Sequence, residues 1–304
     1  MESLLTLQSG VVARRQLVDV GLMPNDVRRL LRRRDLVPLH PGVYVNHTGE
    51  PTWLQQAWGA VLLHPPAALS HDSALRVTDG PGRIALPGPI HVAVDRGRRH
   101  DALPGIRLHR MAGLDDRVLW NASPPRVRIE EALVDLAAGA RDDMAAIAVL
   151  ADAVQARRTT PARVRAALHG RTRVARRAFL DAVLDDIATG TGSVLEHGYL
   201  TRVERPHGLP VGQRQVRSRP FYRDLLYAGQ AQVVELDGRA FHDSARQRDA
   251  DLDRDLDSAI DGLSTVRLGW GQVFGRPCHT AERVGALLRT RGWSGRPRSC
   301  RDCA

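Results

Sequence analysis

Residues 221–270 read FYRDLLYAGQAQVVELDGRAFHDSARQRDADLDRDLDSAIDGLSTVRLGW, and this stretch decides the fold. An apolar and aromatic segment, a β-prone segment from Ala231 to Leu236, a charged segment and a β-like run from Ser264 to Leu268 follow one another. This order predicts strand, strand, helix, strand. Asp224 ends the first segment, and Glu235 and Asp237 close the second. If the first two strands pair as a hairpin, the three carboxylates converge at neighbouring strand ends.

Converging carboxylates have a chemical use. Their oxygens suit a hard cation such as Mg²⁺, which keeps several waters and takes one or two carboxylates. A metal held against a phosphodiester polarises the phosphoryl oxygen and lowers the pKa of a bound water. The plainer interpretation is a polar sheet edge with solvated acids. Acids are depleted in strand interiors, however, and Glu235 lies inside an apolar run.

The same residues carry a family resemblance. Asp224, the segment Val233 to Gly238 (VVELDG) and then His242 resemble the PD-(D/E)XK nuclease superfamily, and they are most similar to its very-short-patch-repair-like branch. Arg254, Gly262 and the pair Val266-Arg267 match later positions of that branch, and SVLE at residues 193–196 resembles the helix before the core. The resemblance covers roughly residues 193–293. It departs from the family at the motif lysine, because Asp237 stands in that place.

The resemblance implies a restriction-endonuclease-like α/β/α domain that hydrolyses DNA phosphodiester bonds with Mg²⁺ or Mn²⁺. Asp224, Glu235 and Glu196 would be metal ligands, the last directly or through water. Asp237 would be a ligand or orient the attacking water. The two remaining catalytic candidates, Arg254 and His242, would contact the phosphate. His242 is alternatively a general base or a hydrogen-bonded loop residue.

The charge of the chain favours a polyanionic partner. Among 304 residues there are 44 Lys plus Arg against 34 acids, a formal net charge of +10. Arginine supplies the cations, and its planar guanidinium binds phosphate through two parallel hydrogen bonds. Double-stranded DNA is therefore the expected partner. An arginine-rich composition inherited from a GC-rich genome is the alternative explanation.

The N-terminal region predicts a second DNA-binding element. Residues 1–45 read as helix, helix, helix and β-hairpin, with Val11 to Val20 helical; this is the order of a winged helix-turn-helix. Val27, Leu30 and Leu31 share one helix face. The expected DNA contacts are five clustered arginines: Arg28, Arg29, Arg32, Arg33 and Arg34. A solvated basic helix is the plainer interpretation.

Residues 28–44, ending in PGVY, resemble the N-terminal domain of AbiEi-type antitoxins of type IV toxin–antitoxin systems. This resemblance implies a regulator that binds its own promoter, and it raises a cognate toxin as a possible partner. Residues 52–138 look like a continuation of the same family.

The three cysteines do not form a disulfide framework. Cys300 and Cys303, with Cys278 and His279, have the residue types of a zinc site. The two thiols lie in a Gly-, Pro- and Arg-rich terminus and no second closely spaced ligand pair accompanies them, so zinc is not the expected cofactor. His91, His100 and His109 are expected to be surface or satisfied core groups. No transmembrane-length apolar run or secretory signal is present, so the cytoplasm is the expected compartment and no membrane partner is expected.

These observations predict an α+β multidomain chain. The expected parts are a winged helix-turn-helix at 1–48, an antitoxin-like α/β region at 49–140, a helical connector at 141–190, a nuclease-like domain at 191–293 and a disordered tail at 294–304. The function expected is a DNA-binding protein with a metal-dependent endonuclease-like domain. The alternative is a non-catalytic transcriptional regulator or antitoxin in which the nuclease fold is degenerate. The missing lysine favours the alternative, and the clustered acids oppose it.

Overall fold

A computed structural model gives the structure of the chain. It describes residues 1–79, 88–97, 103–189, 193–218, 221–237, 252–253, 256–301 and 303. The fold is mixed α/β, as the sequence predicts at this coarse level, and it divides into two compact units, Met1–Leu136 and Ala137–Ala304. The predicted joint at residues 190–192 lies outside the described residues, as do His100, His242 and Arg254. No helix in the described ranges combines the length and the apolarity that a membrane crossing needs.

The first unit begins with three helices and a three-stranded antiparallel sheet of order β1-β3-β2. The elements are α1 (Glu2–Leu7), β1 (Val11–Ala13), α2 (Arg14–Asp19), α3 (Pro24–Arg33), β2 (Val37–His40) and β3 (Val43–Val45). The predicted helix from Val11 to Val20 is wrong at its start. Val11 and Val12 are β-branched residues that pair with β3, where Val11 lies opposite Val45, so tertiary pairing decides their conformation.

The rest of the first unit is built on a mixed five-stranded sheet of order β6-β5-β4-β8-β7. Its strands are β4 (Ala67–Leu69), β5 (Ile90–Asp95), β6 (Ile106–Met111), β7 (Val118–Leu119) and β8 (Arg126–Val127). Its helices are α4 (Trp53–Leu63), α5 (His71–Asp79), α6 (Leu114–Arg117) and α7 (Ile129–Ala138). Thr52 caps α4 by accepting a hydrogen bond from the amide of Gln55, and buried Val92 and Val94 anchor the sheet in the core.

The second unit places a four-stranded sheet of order β12-β11-β10-β9 among helices. Its strands are β9 (Gln213–Ser218), β10 (Phe221–Tyr227), β11 (Gln232–Leu236) and β12 (Ser264–Leu268). Its helices are α8 (Asp143–Gln155), α9 (Pro161–His169), α10 (Arg177–Thr189), α11 (Ser193–Gly198), α12 (Arg205–His207) and α13 (Pro277–Thr290), with π-helical turns at Tyr199–Glu204 and Gly271–Gly275. Residues 256–260 are also helical. β9, β10 and β11 are antiparallel, and β12 runs parallel to β11, so the predicted strand–strand–helix–strand order is present.

The two faces of this sheet differ. One face is buried and holds a polar network: the carboxylate of Glu204 accepts hydrogen bonds from the guanidinium of Arg214 at 3.0 Å and the hydroxyl of Tyr227 at 3.3 Å. Tyr227 also hydrogen-bonds the hydroxyl of Tyr199. The network joins the turn at Tyr199–Glu204 to the sheet. The other face carries Asp224 and Glu235, both half-buried.

Candidate functional site

The candidate site is a row of polar side chains across the second sheet. In the β10–β11 register Leu225 lies opposite Val234, and continuing it by one step sets Asp224 opposite Glu235. On the outer side of β11, Glu235 pairs with Arg267 of β12. Because directly opposite residues of paired strands point to the same face, the three side chains share that face. The hairpin pairing of these two strands agrees with the sequence-based prediction, but Asp224 lies in the middle of β10 and not at its end.

Gln215 extends the row to the fourth strand. It lies between the pairs Arg223–Val216 and Leu225–Arg214, and is therefore opposite Asp224. Its φ of 50° is in the left-handed region, which is unusual for a non-glycine residue within a strand. Its side-chain amide donates a 2.9 Å hydrogen bond to Oε1 of Glu196 on α11. Gln215 thus connects the helix that carries Glu196 to the strand that lies beside Asp224.

The charges of two other acids, Asp224 and Asp186, act on the carboxyl group of Glu196. Burial raises the pKa of Glu196, the hydrogen bond from Gln215 opposes this shift, and the carboxylates of Asp224 and Asp186 raise the pKa further. An acid whose pKa is raised by burial and by neighbouring carboxylates is typical of functional sites. The assignment of Glu196 and Asp224 as metal ligands stays a prediction.

Asp186 positions Glu196 and was not identified from the sequence. It is fully buried on α10, and its Oδ2 accepts a 2.9 Å hydrogen bond from the amide of Val194 in the first turn of α11. This bond satisfies an otherwise unpaired amide at a helix start. The signal in the sequence was an acid three residues after Val183, on the apolar face of α10.

The acids do not form a closed ligand set in the structure. Within the described ranges, two groups of His, Cys or acidic residues have ligand atoms that all lie within 4.8 Å of one another, and Glu196, Asp224 and Glu235 are not among them. Asp237 follows β11, and its backbone amide donates to the carbonyl of Leu268 on β12. The roles predicted for His242 and Arg254 fall outside the described residues.

The predicted DNA-binding arginines are exposed residues of α3, except for Arg34, which caps its C-terminal end. Val27 is buried, and Leu30 and Leu31 pack beside it, so the arginines occupy the solvent side of the helix as predicted. Arg29 pairs with Asp26 at 3.1 Å. Arg33 pairs with Asp35 at 3.3 Å. The exposed members of the cluster are Arg28, Arg29, Arg32, Arg33 and Arg34.

One of the two compact ligand groups consists of His71, His91 and His109 in the first unit. Nδ1 of His91 and Nε2 of His109 are joined by a 2.8 Å hydrogen bond, and the ring of His71 stacks on His109 with centroids 3.7 Å apart. His91 and His109 are partly buried and hydrogen-bonded to each other.

The other group is His207, Cys278, Cys300 and Cys303 in the second unit. The sequence pattern suggested His279 as the nitrogen ligand, but His279 is exposed and His207 takes that place. The sequence also favours disorder for residues 294–304. In the structure this tail makes specific contacts, among them a 2.8 Å hydrogen bond from the amide of Arg298 to the carbonyl of His207.

Comparison with known proteins does not identify a family for this chain. No family model matches the chain. No curated protein matches it. Among solved structures, the crystal structure of the RV2827C protein from Mycobacterium tuberculosis is similar at 21% identity, with a TM-score of 0.37, over 57% of this chain and 71% of that chain. A likeness at this level carries no argument about function.

Proposed function

We propose that the chain is a DNA-binding protein whose second unit hydrolyses DNA phosphodiester bonds with Mg²⁺ or Mn²⁺. The observation that carries this proposal is the placement of Asp224 opposite Glu235, with Glu196 linked to the same row through Gln215. Asp224 and Glu235 share one sheet face, Glu196 of α11 is linked to that face through Gln215, and like charges at such a site disfavour one another. Asp224, Glu235 and Glu196 would hold a divalent cation with its waters, and its charge would offset this repulsion.

The positions of the acidic residues on the strands and on α11 suggest a role for each of them. Asp224 and Glu235 would hold the metal from adjacent strands, and Glu196 would hold it directly or through a bound water. The metal would polarise the phosphoryl oxygen and supply the attacking hydroxide. Asp237, which follows Glu235 by two residues, would orient that water.

The chain contains no lysine, so a different cation has to take the role of the motif lysine beside the proposed metal site. Arg267 is an exposed cation paired in register with Glu235, in the same row as the acids. We assign to Arg267 the stabilisation of negative charge on the scissile phosphate. A guanidinium is suited to this because it presents a planar pair of N–H donors to phosphate oxygens.

In the first unit, α3 would deliver the chain to duplex DNA. The order helix, strand, helix, helix and two-stranded hairpin supports a winged helix-turn-helix, in which the last helix enters the major groove. The exposed arginines of α3 would contact phosphates and base edges, and the β2–β3 hairpin would be the wing.

The experiment is cleavage of supercoiled plasmid by the purified full-length protein with Mg²⁺, with Mn²⁺ and with a chelator. We expect metal-dependent nicking that Asp224→Asn and Glu235→Gln abolish. Glu282→Gln, which removes an exposed acid from α13, is the matched control and should cut like the wild type. Intact plasmid under all metal conditions, or an Asp224→Asn protein that still cuts, would refute the nuclease.

A non-catalytic regulator, with or without a cognate toxin, is the second candidate. Two observations favour it: the chain has no lysine, and the three predicted ligands are not gathered within 4.8 Å of one another. This candidate predicts DNA binding that is independent of divalent metal. Calorimetric titration with Mg²⁺ separates the two candidates. A nuclease site should give a binding heat in the wild type that is lost in Asp224→Asn, whereas a degenerate site should give the same result for both proteins.

A further inference from the structure

All three cysteines of the chain meet at one histidine. Cys278 begins the first turn of α13, Cys300 and Cys303 lie in the tail, and His207 ends α12. The Sγ of Cys300 is 3.6 Å from the Sγ of Cys278 and 3.6 Å from the Sγ of Cys303. Nε2 of His207 is 3.4 Å from the Sγ of Cys303. The four ligand atoms all lie within 4.8 Å of one another.

These separations are those of a tetrahedron around one metal ion. Zinc–sulfur bonds of about 2.3 Å at the tetrahedral angle place two sulfurs roughly 3.7 Å apart, and a sulfur and a histidine nitrogen roughly 3.5 Å apart. A disulfide is excluded as the reason for the cluster, since its sulfurs would be about 2.05 Å apart. Two sulfur–sulfur edges and one sulfur–nitrogen edge therefore match a mononuclear site.

The groups around the cluster are arranged as at a metal site. Nδ1 of His207 lies 2.9 Å from the carbonyl of Val203, so it carries the proton and leaves the lone pair of Nε2 facing the thiols. Metal-binding histidines are oriented by such a bond from the second ring nitrogen. The backbone amide of Cys300 is directed at the Sγ of Cys303 at 3.4 Å, which suits a thiolate. The His207 side chain is almost wholly buried, with 1% exposed.

The tail is held in place independently of any metal contact. Arg298 donates from its side chain to the carbonyls of Arg205 and Pro206, on the helix that carries His207. Pro297 packs so closely on Gly285 of α13 that a Cβ there would overlap it. The chain thus brings Cys300 and Cys303 to His207 with backbone and packing contacts that do not involve the thiols.

We propose that His207, Cys278, Cys300 and Cys303 bind one structural Zn²⁺ ion. Thiolate and imidazole ligands select zinc over Mg²⁺, and four protein ligands leave no open position for a substrate. The ion fastens the tail and the start of α13 to α12. Its role is separate from the proposed nuclease, because the ligands belong to helices and the tail and not to the acidic row.

The first experiment measures metal in the full-length protein after purification without chelator or metal-affinity resin. We expect about one zinc ion per chain, and none in Cys303→Ser or His207→Ala. His279→Asn is the matched control, because it removes the neighbouring histidine that the sequence pattern would select; it should retain its zinc. Metal-free wild-type protein from zinc-supplemented cultures, or zinc loss in His279→Asn alone, would overturn the proposal.

A second measurement does not depend on whether the variants fold. Replacing zinc with Co²⁺ in the wild-type protein should give the visible absorption of tetrahedral cobalt and a thiolate charge-transfer band. Three thiols per chain should become reactive when a strong chelator removes the ion. An octahedral cobalt spectrum, or three thiols that react equally fast before and after chelation, contradicts a Cys₃His site. Plasmid cleavage is not part of either readout, so failure of the nuclease proposal leaves this test intact.

Discussion

The carboxylate of Asp224 on β10 accepts a 2.7 Å hydrogen bond from the backbone amide of Leu236 on β11. Leu236 is buried, so its amide depends on this partner. The same carboxylate faces Glu235 and acts on the charge of Glu196. Asp224 therefore combines a structural task, which needs an oxygen acceptor, with a proposed metal-binding task, which needs a negative charge.

Two substitutions at Asp224 separate these tasks. Asp224→Asn keeps an oxygen that accepts from Leu236, so we expect a free energy of unfolding close to that of the wild type and no DNA cleavage. Asp224→Ala leaves the buried amide unpaired, and we expect it to lose about 1–3 kcal/mol of stability as well as cleavage. Urea unfolding and plasmid nicking on both variants provide the check. Equal stability of the two variants would show that the hydrogen bond contributes nothing.

Glu196→Gln should change the response of the fold to metal. Without metal we expect the variant to be at least as stable as the wild type, because the substitution removes a carboxylate charge that burial and Asp224 disfavour. With millimolar Mg²⁺ the wild type should gain thermal stability, as a ligand that binds the folded state stabilises it. The variant should gain less.

Thermal unfolding with and without MgCl₂ measures this difference, and Glu282→Gln is again the control with the same chemical change at an exposed position. A Mg²⁺-induced shift that is equal in the wild type and in Glu196→Gln would remove Glu196 from the proposed ligand set.

The order of the strands in the second unit could be predicted from the sequence, because the local sequence pattern and the strand pairing in the sheet agree there. Asp224 and Glu235 occupy adjacent strands joined by a short turn, so the register of one hairpin fixes their proximity. The helix at Val11 was predicted wrongly for the opposite reason: three residues of β-branched and small side chains adopt the strand that β3 offers.

The spacing of residues along the sequence did not identify the histidine that lies beside the three cysteines. Cys300 and Cys303 form a visible pair, but the imidazole that faces them comes from α12, far upstream in the sequence. His279 is adjacent to Cys278 and was the natural choice, yet a residue next to a ligand at the start of a helix points to a different side. The docking of the tail on Gly285 and Arg205 brings Cys300 and Cys303 to His207.

The arginines of α3 predict a salt-dependent DNA affinity. The double substitution Arg28→Gln and Arg32→Gln removes two exposed cations one turn apart. If both contact phosphates, the slope of log K against log salt should fall by about 2, with weaker binding to all sequences. Fluorescence anisotropy with duplex DNA at several salt concentrations measures the slope.

Arg141→Gln is the control for this experiment, since its side chain is 88% exposed and it does not lie on α3. We expect it to change the slope far less. Equal slopes for the wild type and the α3 double variant would place the DNA contact elsewhere.

His109 makes the first unit sensitive to acid. Burial, together with the nearby groups His71, His91 and Arg107, lowers the pKa of His109 to about 4. The titratable or charged groups that act on it are His71, His91, Arg107 and Asp135. In the unfolded chain the imidazole has its ordinary pKa near 6.5. Between about pH 6.5 and pH 4 the unfolded state therefore binds more protons than the folded state, and the free energy of unfolding falls as pH decreases through that window.

Above pH 6.5 His109 is neutral in both states and contributes no pH dependence. We expect the urea midpoint of the first unit to fall between pH 7 and pH 5, and His109→Gln to reduce that fall because the residue no longer titrates. Hydrogen exchange of β5 and β6 in the full chain, corrected for the intrinsic rate at each pH, assigns the change to this unit. His47→Gln, which changes a histidine bonded to Gln55 outside the His71, His91 and His109 group, should keep the pH dependence of the wild type. A His109→Gln protein with an unchanged pH profile would show that this group of three imidazoles does not govern the acid sensitivity.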